Sequence, residues 1–114
     1  DGARAVAAEL RRLLDRKAIV VLGVLDDKDL DGIAAAFGSV ASRAIATAPR
    51  TPRAFPAQRV RESLSAHCPT EVVDRVGDAI ERALQLASGD DTVLIAGSLY
   101  TVGEAKERFD GKAC

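Results

Sequence analysis

A chain of 114 residues with 47% hydrophobic and 29% charged side chains has the makeup of one folded globular domain and excludes a disordered or low-complexity segment. Sixteen basic and seventeen acidic groups leave a formal net charge of -1, so no overall field recruits nucleic acid. The apolar run at residues 18–25 is far shorter than the ~20 residues that cross a bilayer, and no signal-peptide core opens the chain, so the expected compartment is the cytoplasm.

Val6, Leu10, Leu13 and Leu14 recur at helical spacing among alanine and arginine, which predicts a helix over residues 3–15. AIVVLGVL, residues 18–25, is β-branched and unbroken by polar groups, as in a strand covered on both faces of a parallel sheet. Leu30, Ile33, Ala34 and Phe37 return to the helical spacing, and Gly38 is expected to close that helix in the left-handed conformation. RAIAT, residues 43–47, predicts a second strand. The proline-marked loop APRTPRAFP follows, and Pro56 opens a helix carrying Val60 and Leu64. TEVVD, residues 70–74, predicts a brief third strand, and Val76, Ala79, Ile80, Ala83, Leu84 and Ala87 an amphipathic helix ending near Gly89. TVLIAG, residues 92–97, predicts a fourth strand, and Leu99, Val102, Lys106 and Phe109 a final helix.

Short apolar strands alternating with helices predict an α/β, Rossmann-like, mostly parallel sheet with helices on both faces, formed by residues 1–114 as one domain. A fold of this kind normally begins with a strand rather than a helix. The expectation is therefore that an N-terminal strand is missing, which leaves a sheet edge open to dimerisation.

Ligands of open α/β sheets bind beyond the carboxyl ends of the strands, where three loops qualify here: LDDKD, TAPRTPR and AGSLY. In the first, Lys28 is a compact positive charge suited to a carboxylate or phosphate. The same loop has a plainer reading, with Asp29 as helix N-cap and Asp31 favoured by the helix dipole in the first turn. Arg50 and Arg53 can present guanidinium forks or stand as surface charges. Ser98 can bind an anion together with neighbouring backbone N–H groups or serve only as an N-cap. Neither standard glycine-rich phosphate loop occurs. Cys68 and Cys114 lack metal or redox spacing, and His67 beside Cys68 is a poor nucleophile–base geometry.

Taken in order, LGVLDDKDLDGI, TAPRTPRAFPAQ and DTVLIAGSLYTVGEAK resemble the C-terminal domain of the folylpolyglutamate synthase/dihydrofolate synthase family, within the Mur ligase superfamily, over nearly the whole chain. The resemblance implies part of an ATP-dependent ligase that adds L-glutamate to a folate or dihydropteroate carboxylate through an acyl phosphate. ATP and Mg2+ would be held mainly by an N-terminal ATP-binding domain absent from this chain, and the domain alone would be inactive. Carried onto this sequence, Lys28 would hold the amino acid's carboxylate and Ser98 would hydrogen-bond the same ligand, with Asp27, Arg53 and Tyr100 as further substrate-binding candidates. No residue is assigned as catalytic or as a metal ligand. The opening DGARAVAAEL resembles the segment that follows the family's D-G-A-H-N-P motif, so Asp1 is not the aspartate of that motif.

A reading from another class is a stand-alone α/β ligand-binding or regulatory module of the receiver type, whose acidic loop takes a divalent ion or a modification. Against it, Lys28 lies inside the acidic cluster and the last strand ends in Gly97 rather than in a lysine.

Overall fold

The computed structural model describes residues 2–97 and 101–107. Its elements run α1 (Gly2–Leu13), β1 (Ala18–Gly23), α2 (Leu30–Gly38), β2 (Ala41–Ala46), α3 (Ala57–Leu64), β3 (Thr70–Val72), α4 (Val76–Leu86) and β4 (Val93–Gly97). Residues 101–107 are helical as well. The expected α/β alternation and parallel sheet are both present. Among the described residues no helix is long and apolar enough to cross a membrane.

The four strands lie in the order β3-β2-β1-β4, and every pairing is parallel. β1 is the fully buried strand that its apolar run predicts. Alternate side chains feed two cores. Val20, Leu22, Ala44 and Ala46 face α1, α2 and α3 through Ala7, Leu30, Ala34, Phe37, Val60 and Leu64. Ile19, Val21 and Ile45 face α4 through Ala79 and Ala83, and Ala105 of the 101–107 helix joins Val76 and Ile80. Helices therefore cover both faces. Burying each large aliphatic side chain stabilises the sheet by about 1.5–3 kcal/mol before entropy is counted.

Three local expectations change. Along α1 the inward stripe is Ala3, Ala7 and Leu10, whereas Val6 and Leu13 are 49% and 68% exposed. The stripe runs one residue away from the larger side chains because alanine lets the helix approach its neighbours closely. Gly38 is the last residue of α2 rather than a left-handed stop, and Ser39 caps it in the right-handed region. A Cβ on Gly38 would meet Cβ of His67 at 2.6 Å, so this glycine provides space, not a turn. Finally, Pro56 precedes α3 as its N-cap instead of opening its first turn.

Strand order reverses between β1 and β4. Connections from β1 step outward through β2 to β3, and the crossover through α4 then returns the chain to the other side of β1. The helices that follow these two neighbouring strands, α2 and the 101–107 helix, thus pack on opposite faces of the sheet, an arrangement that opens a crevice at the strands' carboxyl ends.

Candidate functional site at the carboxyl ends of β1 and β4

Gly23 and Gly97 end the two strands as direct partners. Gly97 has φ +117°, a region open to glycine and costly for other residues. Buried Thr101 donates from Oγ1 to the Gly23 carbonyl at 3.1 Å, so the 101–107 helix is fastened to the end of β1. Nothing in the sequence marks Thr101 for that role, because a threonine in a helical stretch is ordinary.

The chain leaving β1 is braced by the loop after β2. Leu25 and Ala54 form an antiparallel bridge, the Asp26 amide donates to the Arg53 carbonyl at 2.6 Å, and the Phe55 amide donates to the Val24 carbonyl at 2.9 Å. Lys28 N–H then closes a turn on the Leu25 carbonyl at 3.1 Å. Asp29 caps α2 by accepting from the Gly32 amide at 3.1 Å, as its place before the apolar repeat predicts. Asp31 accepts a hydrogen bond from Ser63 Oγ on α3. Lys28 is left exposed, with no ion-pair partner among the described residues.

Lys28 and Gly97 line the same cavity, about 490 Å³, with Asp29, Val6, Ile33 and Phe37 among its walls. The loop after β1 and the end of β4 therefore meet on one rim. Asp27 and Arg53 form an ion pair beside it, Nη2 to Oδ2 at 3.3 Å. Ser98 and Tyr100, the other candidates carried by the resemblance, lie outside the described residues. Arg50 is not part of this rim. Its Nη2 reaches Glu107 at 2.8 Å and its Nε reaches Glu104 at 3.6 Å, beside a separate cavity of about 370 Å³ bordered by Arg75 and Asp78.

Among the described residues no group of three or more His, Cys, Asp or Glu side chains is arranged to hold a metal ion. Of the four acids on the loop after β1, Asp29, Asp31 and Asp27 are occupied with a cap, a serine and an arginine, which leaves Asp26 alone, and this set does not fit a resident Mg2+. Cys68 is buried and burial pushes its thiol above the usual range, with Thr70 and Lys17 opposing. It is therefore held as the neutral thiol, not as a nucleophile.

The parallel sheet, its strand-order reversal at β1 and β4, and the helices on both faces define a layered α/β domain of the Rossmann-like type. The Mur ligase, glutamate ligase domain model matches residues 1–99, and the chain belongs to that family. It is 31% identical over 96 residues to the dihydrofolate synthase/folylpolyglutamate synthase of Escherichia coli (strain K12), covering 84% of this chain and 22% of that protein. Its fold superposes on E. coli FolC in complex with DHPP and ADP with a TM-score of 0.89 at 27% identity, covering 98% of this chain and 27% of FolC. Mycobacterium tuberculosis folylpolyglutamate synthase complexed with ADP and AMPPCP gives a TM-score of 0.84 at 32% identity, covering 95% and 27% of the two chains. The chain thus spans 22 to 27% of the length of these relatives.

Proposed function

We propose that this domain is the amino-acid-handling part of an ATP-dependent ligase of the folylpolyglutamate synthase/dihydrofolate synthase type, joining L-glutamate to the carboxylate of a folate or dihydropteroate substrate. The observation that carries the reading is the shared cavity, lined by Lys28 from the loop after β1 and by Gly97 at the end of β4. Support comes from the family match and from relatives solved with nucleotide and with DHPP.

In the reaction, a carboxylate oxygen takes the terminal phosphoryl group of ATP, giving ADP and an acyl phosphate. The amine lone pair of glutamate then attacks the acyl carbon, the C–O bond to phosphate breaks, and the amine gives up a proton to solvent or to a base outside this chain. Glutamate brings two carboxylates that do not react, and each needs a cationic or N–H partner to fix the amine's direction of attack. Lys28 supplies one, and Ser98 with the turn after Gly97 supplies hydrogen bonds to the same ligand; Asp27, Arg53 and Tyr100 are neighbouring candidates. ATP and Mg2+ are bound chiefly by a partner domain, and no step is assigned to a metal here.

Titrating the 15N-labelled domain with L-glutamate tests this assignment. Amide shifts should concentrate at Lys28, Asp29 and Gly97. Shifts confined to the β3 edge would place the ligand elsewhere and remove the assignment.

A further inference from the structure

Four carboxylates, Asp26, Asp27, Asp29 and Asp31, crowd around Lys28 within six positions. A lysine so placed would ordinarily be neutralised by its neighbours and would attract a substrate carboxylate poorly. The fold draws most of those acids away. Asp29 is turned onto the Gly32 amide. Asp31 is held by Ser63, with Arg59 Nη2 at 4.0 Å. Asp27, next to the lysine in the chain, is held by Arg53 Nη2 at 3.3 Å. Asp26 is exposed and has no ion pair among the described residues.

We propose that Arg53 is a positioning residue for amino-acid recognition, which acts through Asp27: by holding that carboxylate it leaves Lys28 free to face an anionic substrate. The inference rests on Lys28 as the carboxylate-binding group and assigns Arg53 a role that needs no contact with the substrate. Its backbone makes the role specific. The Arg53 carbonyl accepts from the Asp26 amide, its own amide donates to Thr51 Oγ1 at 3.3 Å, and the two residues that follow it, Ala54 and Phe55, are tied to Leu25 and Val24. The arginine is therefore carried by a strap bolted to the very loop that presents Lys28. Both members of the pair are about half exposed, at 57% and 50%, and such pairs contribute little to folding. Removing Arg53 should be felt in binding.

The test is steady-state kinetics of the full-length ligase with L-glutamate varied and the other substrates saturating. R53A should raise KM for glutamate roughly fivefold with a much smaller change in kcat, and R53K should recover most of the loss. R53A/D27N should return KM close to the unmodified value, because the freed acid is then neutral. R53A/D26N, which removes equal charge from an acid that Arg53 does not hold, should stay impaired. A double variant R53A/D27N as poor as R53A would show that Arg53 itself binds substrate and would overturn the proposal, as would equal rescue by D26N. Should the unmodified protein release no ADP in response to glutamate, the ligase reading falls. The crystal structure of R53A still decides the present inference: Asp27 turned onto Lys28 Nζ upholds it, and Asp27 left facing solvent overturns it.

Discussion

Gly97 stands beside Gly23 across the β1–β4 pair so closely that a Cβ on Gly97 would overlap the Gly23 carbonyl. That same carbonyl receives Thr101 Oγ1, and a Cβ on Gly23 would lie 2.6 Å from it. Two glycines and one threonine thus bring the ends of β1 and β4 and the 101–107 helix into close contact. G97A combines backbone strain with this overlap and should lower stability by about 2–4 kcal/mol, seen as a fall in the urea midpoint. An unchanged midpoint would contradict the strand register described here.

Lys28 is exposed and makes no ion pair among the described residues. K28M should leave the thermal midpoint nearly unchanged and raise KM for glutamate by about tenfold or more in the full-length ligase. Equal KM for the two proteins would remove Lys28 from the binding site.

Asp29 caps α2 with one well-formed hydrogen bond. D29A should cost about 1 kcal/mol in urea unfolding, whereas D29N, which keeps an acceptor oxygen, should cost a few tenths. Because Lys28 immediately precedes the cap, D29A should also weaken glutamate binding, so the two readouts should move together.

Glu71 on β3 and Arg82 on α4 form a fork, Nε to Oε1 at 3.0 Å and Nη2 to Oε2 at 3.2 Å. The hydrogen bond from Arg82 outweighs the opposing effect of burial and, with lesser help from the charges of Arg82 and Arg43, holds the Glu71 carboxyl below its usual range. A carboxyl depressed in the folded state stabilises the fold above its unfolded pKa, and that contribution disappears as pH falls through the folded value. E71Q should therefore lower the urea midpoint near pH ~7, and the difference between the two proteins should vanish at pH ~2. A difference that persists in acid would assign the effect to packing.

The parallel strands, the helix repeats and the Asp29 cap were all legible in the sequence because each is a local relation: an unbroken β-branched run, a 3.6-residue period, an aspartate one place before a repeat. Lys28 as a candidate ligand rested on the family resemblance of LDDKD and GSLY, since lysine in an acidic loop has an equally natural life in solvent. The paths of the two arginines were not legible. Arg50 and Arg53 share one loop and differ by three positions, yet one reaches the helix at residues 101–107 and the other the loop after β1.

What the chain's own order of residues determined is the list of elements, the two-sided burial of β1 and the motif loops at its end, all set by neighbours within a few positions. Only tertiary structure decided that α1 turns alanines inward, that Gly38 makes room for His67, and that Lys28 shares a cavity with Gly97. Those outcomes depend on distances between segments dozens of residues apart, where backbone approach and charge pairing are settled by the packed sheet rather than by any period in the sequence.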